Sequence, residues 1–142
     1  MLERDLILKM VQDLARVLAR ALGLRKQGMT EQAVQEVETA ASSLIGLDLK
    51  VVAALDAGVI AKQLVASEKI DAIAQVVWAR ADLAHDQGDL GEALWRRKAV
   101  ELWLEGAAAG ATLSDDALRA ILGHPAADLG ARQQRLREAL VG

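Results

Sequence analysis

The segment from Leu2 to Lys26 constrains this chain most. No proline interrupts it, and at 100° per residue its side chains sort into two unequal arcs. Asp5, Lys9, Gln12, Asp13, Arg16 and Arg20 fall within one narrow polar arc. Leu6, Ile7, Leu8, Met10, Val11, Leu14, Val17, Leu18, Ala21 and Leu22 occupy the rest. An ordinary surface helix hides a stripe a little over ~100° wide. This one is apolar over more than half its circumference. It therefore has to be covered from two sides, by neighbours in the same chain or by a second chain. The i,i+4 pairs Asp5–Lys9 and Lys9–Asp13 add at most ~0.5 kcal/mol each. Arg25 and Lys26 stand in the last turn, where cations suit the helix dipole.

The remainder of the chain is also helical material. Of 142 residues, 53% are hydrophobic and only 2% aromatic; Phe, Tyr and Cys are absent and Pro occurs once. Straight-chain apolar residues and alanine favour helix, and little is left to build a sheet. The absence of cysteine excludes disulfides and thiolate metal sites. A net charge of −3 argues against a dedicated nucleic-acid binder. Glu3 and Asp5 stand where a secretory signal would be basic, and no apolar run approaches the ~20 residues that span a bilayer. A single soluble domain over residues 1–142 is expected, cytoplasmic and without a membrane or nucleic-acid partner.

Punctuation divides the chain. Gly28 breaks the first helix, and Thr30 is the candidate N-cap of a second over Glu31–Ile45, ended by Gly46. Asp48 and Asp56 are cap candidates for short helices over Leu49–Leu55 and Ala57–Ala66, with Ser67–Glu68–Lys69 as a polar joint. Asp71 is the candidate cap of a helix over Ala72–Gln87, and Gly88–Asp89 turns it into another over Leu90–Glu105. The Gly106–Gly110 stretch reads as a frayed end or loop. Ser114 is the candidate cap of a short helix through Leu122, Gly123–His124–Pro125 stops it, and a last helix runs over Asp128–Leu140.

An internal repeat lies at an offset of 60 residues. Ala19–Arg20–Ala21 matches Ala79–Arg80–Ala81, Gln27–Gly28 matches Gln87–Gly88, Ala33 matches Ala93, and Leu44 matches Leu104. Each copy is helix, Q-G turn, helix, with a small residue five positions after the glycine. That is the form of a tetratricopeptide-like hairpin, although an array would repeat every ~34 residues. Two units are fewer than the three or so that a free solenoid needs, so pairing with another chain or a helical cap is expected.

At this point the chain resembles a known family. The opening M-L-E-R-D-x-I-x-K-M-V, then L-A-R-x-L-x-L-R-x-x-G, then L-I-G-L-D and Q-G-D-x-x-E-A are similar to a family of small bacterial proteins with tetratricopeptide-like helical hairpins. The resemblance covers Met1 to about Leu104. It implies an all-helical fold and brings no activity, ligand or catalytic residue. Arg97 and Val100 depart from it, standing where such a helix places an aromatic and a small residue.

Few residues suggest chemistry. Asp82, His85, Asp86 and Asp89 share a helix end, and a carboxylate–histidine cluster of this type can hold a divalent metal or move protons. Beside Gly88 that end is expected to be wet, which leaves its pKa values ordinary. His124 reads as a solvated loop histidine. Arg96, Arg97 and Lys98 are consecutive and point three ways on a helix, so they form no phosphate-binding patch. Arg132, Arg135 and Arg137 add charge without aromatic platforms. Of the tryptophans, Trp78, Trp95 and Trp103, the ordinary role is core filling; the alternative is to anchor an interface, where tryptophan is enriched.

The sequence thus predicts an all-α fold of two tetratricopeptide-like hairpins with linking helices over 1–105 and a helical extension over 106–142. The expected function is a non-catalytic protein–protein interaction module that pairs with itself, a dimer above all, with no cofactor or metal. Leu6, Met10, Leu14, Val17, Trp95 and Trp103 are the expected interface residues. A ligand-binding pocket between hairpins is the alternative, and a metal-dependent enzyme built on Asp82, His85 and Asp86 is a further one.

Overall fold

The computed structural model describes residues 2–141; Met1 and Gly142, the two ends of the expected domain, lie outside the described residues. Those residues form eight α-helices and no strand. In chain order they are α1 (Leu2–Lys26), α2 (Thr30–Ala40), α3 (Leu49–Ala54), α4 (Ala57–Leu64), α5 (Ser67–Asp86), α6 (Glu92–Ala108), α7 (Asp115–Gly123) and α8 (Ala131–Val141). A π-helical turn, Ala41–Ile45, extends α2, and a 3-10 turn, Ala126–Asp128, precedes α8.

Two hairpins, α1 with α2 and α5 with α6, make the frame, and their turns are built alike. Gly28 (φ 79°) and Gly88 (φ 67°) sit in the left-handed region, which costs a side-chain-bearing residue ~1 kcal/mol or more. In the first turn the Gly28 N–H donates to Arg25 O (3.0 Å) and the Met29 N–H to Leu24 O (2.9 Å). In the second the Gly88 N–H donates to His85 O (3.1 Å) and the Asp89 N–H to Ala84 O (2.9 Å). Both are Schellman closures that satisfy the last carbonyls of the helix. Ala21 and Ala81, also related by the repeat, are both buried.

The repeat fails beyond the turn. Ala33 is fully buried, whereas Ala93 is exposed. The first turn enters α2 at Thr30, two residues after its glycine; the second reaches α6 only at Glu92, four after Gly88. The extra residues are held by Asp89, whose Oδ1 accepts the Gly91 N–H (2.8 Å). After them α6 buries Ala99, whose counterpart Thr39 is exposed, while Val100 and its counterpart Ala40 are both buried.

Several caps differ from the sequence reading. Asp48 and Ser114 do cap, accepting the N–H groups of Lys50 and Ala117 at 3.1 Å each. Thr30 lies inside α2, with Met29 at the cap. Asp71 lies inside α5, which starts at Ser67, so the supposed polar joint is that helix's first turn. The Asp71 carboxylate accepts from Gln75 Nε2 (2.8 Å) instead of capping. Of the Gly106–Gly110 stretch, α6 takes residues up to Ala108 and Ala109–Gly110 form the turn that follows; the glycine at 106 lets the helix lie against Ile70. A Cβ there would meet Ile70 Cγ2 at 3.3 Å. The last helix starts at Ala131, since the chain first makes its 3-10 turn after Pro125.

Helix α5 is the centre. Ile73, Val76 and Val77 on α5, Val100, Leu102 and Leu104 on α6, Val37 on α2 and Ile60 on α4 are fully or almost fully buried and join one core. At about 25 cal/mol per Å² of apolar surface, each such side chain contributes ~1.5–3 kcal/mol. Val17 and Leu24 of α1 pack partly against the same core. Helix α8 adds little to it: Gln133 is its one buried residue.

Candidate functional site

The acidic helix end does not converge on anything. Asp82 accepts from Arg96 Nη2 (3.0 Å) and faces Arg25 Nη1 (3.7 Å). Asp86 takes Arg25 through both of its oxygens, Nη2 reaching Oδ1 at 3.1 Å. The Arg25 bond holds the Asp86 carboxyl below its ordinary value and raises that of Arg25. His85 Nδ1 meets Glu92 Oε1 at 2.9 Å, and Asp89 is spent on its own turn. The His85 and Arg96 bonds lower the Glu92 pKa. Among the described residues no group of three or more His, Cys, Asp or Glu is placed to hold a metal ion. Each acid instead has its own partner, and the guanidiniums of Arg25 and Arg96 tie α1, α5 and α6 together.

Several of the other polar residues are similarly spent on the fold. Arg96 also stacks over Trp78 at 4.4 Å, Arg97 faces Asp128 at 3.8 Å, and Lys98 donates to the Leu55 carbonyl. The three consecutive charges do diverge. Arg137 donates to the carbonyls of His124 (2.9 Å) and Leu122 (3.1 Å). His124 is not a solvated loop residue: its side chain is largely covered, and its Nε2 meets Asp128 Oδ2 at 2.7 Å.

A groove of about 840 Å³ opens between α1, α5, α6 and α7. Trp78 and Trp103 form its floor, ring centroids 5.6 Å apart and tilted by 48°. Leu18 and Leu22 of α1 and Ala120 of α7 make its walls, with Arg119 at the rim. Trp103 is almost wholly buried, and Trp95 is half-buried beneath Arg80 at 5.7 Å, so the structure spends both on intramolecular contacts.

Helix α1 divides its wide apolar arc between two environments. Ile7, Met10, Leu14 and Ala21 are buried in the chain's own core; Leu14 is 2% exposed. Met10 and Leu14, expected at an interface, are therefore core residues, as is Trp103; Val17 is half-buried against the same core. Leu6 is exposed, on the flank of α1 nearer α2, where Arg20 reaches Glu36 (3.4 Å). The opposite flank lies toward α5, marked by the ion pairs Arg4–Glu68 (3.0 Å) and Arg25–Asp86. There Leu8 (45% exposed), Val11 (37%) and Leu22 (48%) form an apolar seam with exposed Ala15 and half-buried Leu18. Sequence reasoning missed these five as a set. The signal was their alternating spacing of three and four residues, the period of a helix that packs along another helix.

No protein-family model, no curated protein and no solved structure matches the chain.

Proposed function

We propose that this protein is a non-catalytic protein–protein interaction module that pairs with itself, α1 contributing to the contact. The observation that carries this reading is the apolar seam Leu8–Val11–Ala15–Leu18–Leu22, exposed except for half-buried Leu18 after the core has taken the neighbouring side of the same helix. A largely exposed apolar strip along one helix is unusual on a soluble monomer and supports an association surface. The matched Schellman turns support reading the two hairpins as tetratricopeptide-like units, the kind of bacterial helical protein that the opening motifs resemble. Such units present helix faces to partners, here in the cytoplasm. Light scattering across a concentration series tests the reading: a dimer is expected, and Leu8→Glu should weaken it without loss of helicity. A wild type that stays monomeric throughout overturns it.

The groove favours another reading, a ligand-binding protein, because its tryptophan floor and leucine walls suit a flat apolar molecule. Titration with the anionic naphthalene dye 1-anilinonaphthalene-8-sulfonate, followed by the emission of the dye itself, tests it. Ala120→Trp, which fills the groove, should abolish a specific signal; an unchanged titration would end this reading.

A further inference from the structure

Resting on the self-association reading, we infer that the occupant of the α1 seam is the α1 seam of a second copy, running antiparallel. The seam has two kinds of position: Leu8, Ala15 and Leu22 alternate with Val11, Leu18 and Arg25 at steps of three and four residues. In an antiparallel pair the first kind packs against the second. A two-fold axis between Arg16 and Val17 then sets Val11 against Leu22 of the second copy and Ala15 against its Leu18. Each central contact joins a smaller residue to a larger one, which suits close packing. At the ends Leu8 lies along the stem of Arg25, whose charge its own Asp86 and Asp82 already offset.

Charge selects the same orientation. Helix α1 carries Glu3 and Asp5 in its first turn, where Arg4 is paired with Glu68 of its own chain, and Arg25 and Lys26 in its last. In the antiparallel register Asp5 flanks Lys26 of the second copy, twice by symmetry, and the two helix dipoles oppose each other. A parallel pair would instead set Ala15 on Ala15, leaving a hole, and Arg25 on Arg25. At its C-terminal half the seam borders the open groove, with α7 on the far side, so Leu22 is left accessible there.

A charge-pair experiment reads the orientation directly. Val11→Glu and Leu22→Lys, both at exposed positions, are made singly and together, and the dimer constant is measured by light scattering with helicity followed by circular dichroism. Each single substitution places its charge against an apolar residue at two symmetric contacts and should weaken the dimer about tenfold or more. Together they face each other across the antiparallel seam and should restore the dimer. Val11→Lys with Leu22→Glu gives the same pairing and serves if the first pair folds poorly. A double variant no tighter than the singles, with helicity intact, overturns the antiparallel arrangement while self-association stands. A dimer indifferent to every substitution overturns the seam as the contact. A monomeric wild type overturns this inference together with the reading beneath it.

Discussion

Val65 stands between α4 and α5 with φ 66° and ψ −58°, and its neighbours close a tight turn in which the Ala66 N–H donates to Leu64 O at 2.7 Å. A β-branched residue resists that conformation, which costs ~1–3 kcal/mol. Its side chain is largely exposed, so little packing offsets the strain. Val65→Gly should therefore raise the melting temperature by a few degrees, about 1 kcal/mol, despite adding chain entropy to the unfolded state. A melting temperature equal to or below wild type would show that the turn is not strained. Arg80 presents the opposite situation, a polar group inside. Its side chain is only 12% exposed, Glu38 stands 3.8 Å away, and Nε and Nη1 have no hydrogen-bond partner among the described residues. Each buried unmet donor costs ~1–3 kcal/mol. Arg80→Met keeps the packing on Trp95 and removes the donors, so stability in urea should be unchanged or higher. Arg80→Ala should destabilise by leaving a cavity. If Met is as damaging as Ala, the charge itself holds this site, through Glu38 and the Trp95 ring.

At the scale of elements, the two hairpins share their turns and differ in the helices that follow them, and substitution can read that difference. Ala33→Leu should overpack the α1–α2 contact and cost ~1–3 kcal/mol, while Ala93→Leu, on an exposed face, should stay within ~0.5 kcal/mol. Equal effects in denaturant melts would mean that α6 keeps the register of α2 after all. This contrast also marks how far the sequence was legible. Glycine turns declare themselves locally, because Gly28 and Gly88 need only their own φ, and Asp48 and Ser114 cap through bonds within three residues. Gly106 and Asp71 could not be read that way. Gly106 has the character of a helix breaker until Ile70 is known to press on it, and Asp71 that of a cap until α5 is known to begin a turn earlier. The α1 arc was legible as too wide for one neighbour. Which of its residues the core takes depends on where α2 and α5 lie around it, so Met10 and Leu14 could not be told from Val11 and Leu22 by periodicity.

The whole molecule is unevenly held together, and α8 is its most polar attachment. Glu105, buried on α6, accepts from Arg132 Nε (2.8 Å) and Nη2 (2.7 Å) and from Gln133 Nε2 (2.7 Å). With Arg137 on the carbonyls of Leu122 and His124, these bonds take the place of the apolar packing that joins α5 to α6. The Arg132 bond holds the Glu105 carboxyl below its ordinary value. A lowered carboxyl contributes fully above its unfolded pKa and loses that contribution as the pH falls through the folded one. Asp71 and Glu101 run the other way. Burial raises both, so their ionised forms weigh against the fold at neutral pH and protonation relieves them. Acid also weakens the Asp86–Arg25 and Glu92–Arg96 pairs, but these are surface pairs worth little and α5 and α6 keep their apolar packing, so mild acid should loosen α8 first. Hydrogen exchange should show residues 131–141 losing protection first as the pH drops below the ordinary glutamate range, once intrinsic rates are corrected for pH. Glu105→Gln should produce the same loss at neutral pH, about 2 kcal/mol of local opening free energy for bonds to a charged group, and make it insensitive to pH in that range. Protection of α8 that tracks α5 and α6 at every pH would mean that Leu136 and Leu129, rather than the Glu105 bonds, fix the C-terminal helix to the body of the protein.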